Sequence, residues 1–326
     1  MNLYKIPGTS LATFLVLTLT SCLKDKLNNT NPAAGTNNVV EFQNTSVPVS
    51  YTSNYPQYDN GITLTGDTGS FPINVNYTGA EAVAPEDIKI TLTLDTAALN
   101  AFNTNQGTSY GLAPSDDIAY STTVTIPKGV NTVQIRAVIT TNSDWDYSQT
   151  YALPLTITAS SYGVISSNFG TAIYTFVANN PFAGKYTTTG YFFHPSSPRA
   201  ISGDYSVYTT GQYENKFPFG DLPAGGTAYY FAATTPSSGG GALTGYRAIG
   251  APAAPASGFM DADNPGGTGY SSAAPNAPGT APWVSSTYNN SYDATNQTYY
   301  LHVGYASGGN GESTFTRQVY MKMVKD

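Results

Sequence analysis

The chain has one cysteine, two histidines and few charges among its 326 residues, and each shortage narrows what it can do. A single thiol, Cys22, offers no internal disulfide and no multi-thiolate metal site. Lysine and arginine total 13 against 20 acidic residues, a formal net charge of −7, and the basic residues are scattered. No electrostatic footprint for a phosphate backbone is present, which argues against a nucleic-acid partner. Charged residues are only 10% of the chain, so Ser, Thr, Asn and Tyr must solvate most of the surface, which suits neutral ligands or neutral neighbours. With only His194 and His302, an imidazole-based acid–base mechanism has little to draw on. His194 precedes Pro195, Ser196 and Ser197 without any nucleophile motif around it. In YYLHVGY, Leu301 and Val303 share one face and Tyr300 and His302 the other, so His302 is predicted to face solvent or a groove.

Leu, Lys, Arg and Glu are too scarce for a helical protein, whereas Tyr, Thr, Val and Gly abound, and the class this implies is all-β. At roughly 150 residues per domain the length makes room for two domains. The apolar run Leu11 to Leu19 is too short to span a bilayer. Lys5 lies ahead of it and small Thr20 and Ser21 lead to Cys22, the pattern of a leader over residues 1–21 that is removed on export.

Leu19-Thr20-Ser21-Cys22 resembles the lipobox of bacterial lipoproteins. The resemblance implies cleavage before Cys22 and acylation of its sulfur and its new amino group, with the membrane as partner through that anchor. Two or three acyl chains hold where one holds weakly, since each buried methylene contributes about 0.8 kcal/mol. Lys24 and Asp25 in CLKDK resemble the tag that sends Bacteroidota lipoproteins to the outer face of the outer membrane. Lys26 departs from that tag where a second acidic residue is common, which leaves the periplasmic face open. Residues 22–38, rich in Asn, Thr, Pro and Ala, are predicted to be a flexible tether.

Residues 39–179 read as short strands. Ile88, Ile90, Leu92 and Leu94 alternate with polar residues in DIKITLTLD, and Val133, Ile135, Ala137 and Ile139 do so after the turn Pro127-Lys128-Gly129. Tyr151, Leu153, Leu155 and Ile157 make another strand, whose Pro154 points to an edge or a bulge. TAALNAFNTNQ, Thr96 to Gln106, has helical spacing behind Asp95 as N-cap. About seven strands with regular turns imply an Ig-like β-sandwich.

Tyr110-Gly111-Leu112, Ala119-Tyr120, Ile126-Pro127-Lys128-Gly129, Tyr151-Ala152-Leu153-Pro154-Leu155 and Gly163-Val164-Ile165-Ser166 are similar to motifs of an uncharacterised N-terminal module of Bacteroidota surface lipoproteins. Such modules are often encoded near SusC/SusD-type glycan importers, so the resemblance implies SusC/SusD-type outer-membrane proteins as neighbours and transfers no catalytic residue. Asn180 to Gly184 is the predicted linker, its Phe182 a wedge between domains. Residues 185–326 are predicted to form a second β-sandwich or barrel-like domain, and GKYTTTGYFFHP, SYDATNQTYYLHVGY and TRQVYMKM resemble the C-terminal module of the same lipoproteins. Residues 236–282, mostly Gly, Ala, Pro and Ser, are predicted to be a long loop.

Two chemical readings of the second domain are weak. Glu214, Glu312, Asp204, Asp221, Asp261, Asp263 and Asp293 show no spacing that pairs two carboxylates as a glycoside hydrolase requires. Asp261 and Asp263 in DADNPGG resemble the start of a calcium loop, yet Pro265 and the lack of a closing Glu favour a plain Asx-type turn. The stronger signal is aromatic. Tyr270, Trp283, Tyr288, Tyr292 and Tyr299 lie among Asn289, Asn290, Asn296 and Gln297, and aromatic faces with planar amides are how proteins cover a sugar ring and read its hydroxyls. Trp283 and Tyr292 stand out, flanked by Pro and Asn instead of an apolar run, although Tyr and Trp also fill β cores. The sequence therefore points to a lipid-anchored cell-surface protein that binds polysaccharide or oligosaccharide without catalysis and without a cofactor. The alternative is a structural or adhesin-like protein whose β edges and Tyr-rich faces contact another protein.

Overall fold

The computed structural model describes residues 38–43, 55–79, 81–226, 229–249, 259–261, 281–284, 286–305 and 317–326. The leader, Cys22, the CLKDK segment, Asp263, Tyr270 and Glu312 lie outside the described residues, as does the predicted tether except Asn38. Asn38 is not tether-like: it is buried and its Nδ2 donates to the Tyr162 hydroxyl at 3.0 Å.

The first module contains β1 (Val39–Gln43), β2 (Gln57–Thr63), β3 (Thr68–Thr78), β4 (Ile88–Leu94), helix α1 (Thr96–Gln106), β5 (Gly111–Leu112), β6 (Ile118–Ala119), β7 (Thr123–Ile126), β8 (Thr132–Thr140), β9 (Tyr151–Ser160), β10 (Val164–Ile165) and β11 (Thr171–Asn179). They form two sheets, ordered β10-β1-β3-β8-β6 and β2-β11-β9-β4-β7 with β5 beside β9. Their inner faces share one core, in which Phe42 meets Tyr174 edge-on at 6.0 Å and Phe71 packs on Phe176 at 5.2 Å. The eleven described strands outnumber the roughly seven predicted mainly because β5, β6 and β10 have two residues each and carry no periodic pattern. On β4 the alternation holds through Leu92, while Leu94 is 38% exposed where the chain leaves the sheet for α1.

Helix α1 has the predicted bounds. Asp95 Oδ1 accepts from the Ala98 N–H at 2.9 Å, and Gly107, at φ 66, closes the helix in the left-handed region that glycine adopts without strain. Its Ala98, Leu99 and Phe102 cover Ala152 and Ile173 on the outer face of the second sheet. Pro154 is not on an edge, for β9 lies between β11 and β4. It stands where β9 changes partner: the Ala152 carbonyl accepts from Ala113 N–H beside β5, the Pro154 carbonyl from Asp95 N–H, and β4 pairing begins at Leu155. The missing N–H falls in that gap and leaves no ladder bond unmade.

The second module contains β12 (Gly184–Phe193), β13 (Arg199–Thr209), β14 (Glu214–Pro218), β15 (Tyr230–Thr234), β16 (Gly241–Ala242), β17 (Thr244–Ile249), β18 (Phe259–Asp261), β19 (Ser291–Asp293), β20 (Thr298–Tyr305) and β21 (Arg317–Lys325). One sheet runs β16-β19-β20-β21-β12-β13-β14-β15-β17, with β18 also on β20. Strand β17 comes back against β18, so the sheet curls into a nearly closed barrel. Its interior is filled by Tyr186, Phe192, Phe217, Phe231, Tyr299, Leu301 and Met321 among others. The fold is all-β, with two modules and, among the described residues, one short helix.

Two local expectations change. The stretch 236–282 is not a plain loop, since β16, β17 and β18 lie in it. Their strand residues were hidden by the Gly, Ala and Pro around them, and β17 is held by pairing with β15 and by Arg247 to Glu214 at 2.6 Å. Phe182 does not wedge between modules either. It is buried in the barrel core against Tyr292 at 5.2 Å, and its neighbour Asn180 organises the junction. Asn180 Oδ1 accepts from Phe182 and Ala183 N–H, both at 3.1 Å, and from Asn215 Nδ2 at 2.9 Å, while its Nδ2 donates to the Gly211 carbonyl at 3.1 Å. From the barrel, Gln212 Nε2 donates to Asp67 Oδ1 of the first module.

Candidate functional site

Over residues 190–193, 301–304 and 318–321, strands β12, β20 and β21 are buried on both faces, unlike an ordinary half-solvated antiparallel sheet. Val319, Met321, Leu301, Val303 and Phe192 point into the barrel. The alternate residues point outward, and the register sets His302 opposite Tyr320 and Tyr320 opposite Tyr191 across the three strands. Tyr191, Phe193 and Tyr320 form a second buried cluster on this outer face, against which Trp283 and Tyr288 pack.

Trp283 and Tyr288 are delivered by a turn in which the Val284 carbonyl accepts from Thr287 N–H at 3.0 Å and Tyr288 N–H at 2.9 Å. The indole lies 5.8 Å from Tyr191, 5.9 Å from Tyr320 and 5.5 Å from Tyr288, centroid to centroid. Tyr288 meets Tyr320 edge-on at 5.4 Å and Tyr300 edge-on at 6.5 Å. Trp283, Tyr288 and Tyr300 are half-buried, whereas Tyr320, Phe193 and His302 beneath are buried. The result is an aromatic platform with a rigid floor and a partly open top. Lys322 extends it, its ammonium 5.9 Å from the Tyr300 ring, and burial pushes the Tyr288 hydroxyl up from its ordinary value, so that hydroxyl stays protonated.

The structure redistributes the predicted residues. Trp283 and Tyr288 do come together, and Asn289 is exposed beside them, accepting from Ser291 Oγ. Tyr292 does not join them: it turns inward, 6% exposed, and packs on Tyr299 at 4.5 Å. Asn290 is buried as well. At φ 54 it aims its carboxamide at the backbone of His302, donating to its carbonyl at 2.8 Å and accepting from its N–H at 2.7 Å. On that edge of β20, β19 pairs as far as Tyr300 and β18 begins at Val303, so the Asn290 side chain bridges the gap between two strands. His302 lies on the predicted outer face yet reaches neither solvent nor a groove, because it stacks on Tyr320 at 3.9 Å and donates from Nε2 to Gln318 Oε1 at 2.8 Å. Tyr191, Phe193, Tyr300 and Tyr320 were missed as site residues. Their signal was stretches that are apolar or aromatic on both faces, GYFF and VYM, where an alternating strand would carry polar residues outside.

Four of the described carboxylates are held by protein partners. Asp204 pairs with Lys185 at 2.8 Å, Asp221 with Arg199 at 2.6 Å and Glu214 with Arg247 at 2.6 Å. Lys185 holds Asp204, and Arg247 holds Glu214, below the usual carboxylate range, while Asn296 does the same for Asp293. A glycosidase acid must instead retain its proton near neutral pH. His194 Nε2 accepts from Arg317 Nε at 3.1 Å, and burial, with Arg317 and Arg199 nearby, lowers its pKa, so it is a neutral acceptor without an orienting carboxylate. Asp261 lies on β18 opposite Val303, and among the described residues no group of three His, Cys, Asp or Glu side chains could hold a metal ion.

A family model described as a "-like, N-terminal domain" matches residues 37–163, the sandwich from β1 to β9. No curated protein matches the chain. Among solved structures, a protein of unknown function from Bacteroides ovatus is 12% identical over 89% of this chain and 95% of its own, with a TM-score of 0.54. An auxiliary nutrient binding protein from Bacteroides thetaiotaomicron is 14% identical over 86% of this chain and 94% of its own, with a TM-score of 0.45. A multidomain protein including DUF1735 from Bacteroides ovatus is 14% identical over 88% and 92%, with a TM-score of 0.44. The first of these shares the fold across both modules.

Proposed function

We propose that this protein binds a neutral glycan without catalysis, at a cell surface where lipid on Cys22 anchors it, in support of polysaccharide uptake beside SusC/SusD-type proteins. The observation that carries the glycan reading is the half-buried trio Trp283, Tyr288 and Tyr300 standing on the buried floor of Tyr320, His302 and Phe193. A floor that already fixes its rotamers lets the upper rings cover the apolar face of a pyranose with little loss of side-chain freedom. Asn289 and Lys322 at the margin supply hydroxyl-reading groups. The test is affinity electrophoresis of the leaderless chain through a panel of neutral polysaccharides. Retention on at least one, abolished by Trp283→Ala with folding intact, is the expected result. Mass spectrometry of the native product tests the anchor, with a diacylated or triacylated Cys22 at the amino terminus expected.

One observation favours the protein-binding alternative. Edge strand β10 exposes Val164, at 51%, and Ile165 beside an otherwise paired sheet. A stable partner pulled from outer-membrane extract that survives excess oligosaccharide would move the conclusion there.

A further inference from the structure

The barrel has a second concave feature, on its inner side and away from Trp283. At the end of the barrel that meets the first module, a cleft of about 370 Å³ is lined by Phe182, Tyr213, Tyr292, Gln297 and Lys325 of the barrel and by Gly66 of the first module. Its volume lies in the lower part of the range for small-molecule sites, about 300–1,000 Å³, and barrel mouths and domain junctions are where such sites concentrate.

Three features distinguish this cleft from a packing defect. The first is Lys325. Its Nζ donates to the Pro181 carbonyl at 2.6 Å, and no carboxylate pairs with it among the described residues, whereas Lys185, Arg199 and Arg247 all have one. Burial pulls its pKa down, as expected for an ammonium removed from water without a counter-ion. An ammonium has three N–H donors, so those not bonded to Pro181 remain for a ligand. The second is Gln297, which lines the cleft at φ 47. A residue with a side chain seldom adopts that conformation, and such outliers gather at ligand sites. It is fixed from both sides, by Lys325 N–H donating to its carbonyl at 3.1 Å and by Asp293 capping the turn before it through Thr295 N–H at 2.9 Å. The third is an apolar wall, with half-buried Tyr213 beside the edges of Phe182 and Tyr292.

We infer that the cleft at the junction of the two modules is a second binding site, for a sugar residue that carries a carboxylate, with Lys325 taking the carboxylate, Gln297 a hydroxyl and Tyr213 the ring face. The ligand class follows from the donor set. One unpaired cation without a second cation beside it suits a single negative charge better than a phosphate, which attracts clusters of Arg or backbone donors. A cleft with an aromatic wall and an amide suits the rest of a pyranose. Being separate from Trp283, this site can exist whether or not the outer platform binds glycan.

The experiment is titration calorimetry of the full chain in detergent with sodium galacturonate and, separately, with methyl galacturonate ester, which keeps the ring and loses the charge. Galacturonate is expected to bind at least tenfold more tightly than the ester. Lys325→Met is expected to remove that difference, Lys325→Arg to preserve most of it, and Trp283→Ala to leave it untouched. Because Lys325 also holds the Pro181 carbonyl, the melting temperature of each variant is measured, and Gln297→Ala, which alters no protein–protein hydrogen bond of the side chain, is expected to weaken galacturonate severalfold. Equal binding of acid and ester, binding unchanged in Lys325→Met, or no binding of galacturonate by the native chain would overturn the inference. Loss of the preference in Trp283→Ala would overturn it too, since it would place the site on the outer platform.

Discussion

Each module covers part of the outer face of a sheet, and the two covers differ. In the sandwich, α1 lays Ala98, Leu99 and Phe102 on Ala152 and Ile173, and Phe102 is sealed from solvent. In the barrel, the turn around Val284 lays Trp283 and Tyr288 on Tyr191, Phe193 and Tyr320, but both remain half-buried, as does Tyr300 beside them. A helix with a cap at each end closes its own backbone hydrogen bonds and can be pressed flat against a sheet. A turn cannot, so it touches the sheet through its largest side chains and leaves gaps between them. The first cover stabilises the sandwich, and the second leaves an aromatic surface that a ligand can complete.

That comparison breaks most readily at Phe102. Phe102→Ala should cost about 3–5 kcal/mol by opening a cavity under α1, seen as a lower urea midpoint, and should leave glycan retention unchanged at temperatures where the chain is folded. Asn290→Ala should cost about 2 kcal/mol, because the N–H and carbonyl of buried His302 lose their partners, and tryptophan emission should shift red as the platform loosens. Trp283→Ala should cost roughly 1–2 kcal/mol, since the ring is only half-buried, yet abolish retention on the glycan gel. If Phe102→Ala and Trp283→Ala instead act alike, costing stability and sparing binding, the barrel cover is packing and the distinction falls.

A smaller effect is set by pH and belongs to the barrel alone. The hydrogen bond from Arg247 lowers the Glu214 pKa below its ordinary value, tying β17 to the barrel wall. A depressed carboxyl contributes stability that is present above the unfolded pKa, about 4.3, and lost as pH falls through the folded one. Native protein should therefore lose melting temperature more steeply than Glu214→Gln below about pH 4.3. At neutral pH the variant should be the less stable of the two by a small margin.

The regular parts were legible in the sequence. Helix α1 was readable to its end residues from its spacing and the Asp95 N-cap, and the structure adds Gly107 as the residue that closes it. The alternation in β4 and β8 showed their inner faces. The site was half legible. Tyr288 was one of a group of aromatics in a polar stretch, and Trp283 stood out because no apolar run flanks it, but the same reasoning singled out Tyr292, whose neighbours Ser291 and Asp293 are polar although it points into the core. On a strand of three residues, local composition carries no sign of which face is inside. Asn290 is the clearest case: it reads as a ligand-facing amide, and it became a substitute for a missing strand bond only once β18 and β19 were seen to stop on either side of His302.

By itself the sequence determined what depends on neighbours along the chain: the all-β class, the helix and its caps, the apolar faces of the longer strands. Tertiary structure alone decided that β17 returns against β18, that Tyr191 and Tyr320 become the floor under Trp283, and that Lys325 ends in a cleft against Gly66. Periodicity is a property of consecutive residues, whereas a floor, a gap or a cleft requires residues far apart in the chain to be held at fixed distances, and only the closed backbone supplies those.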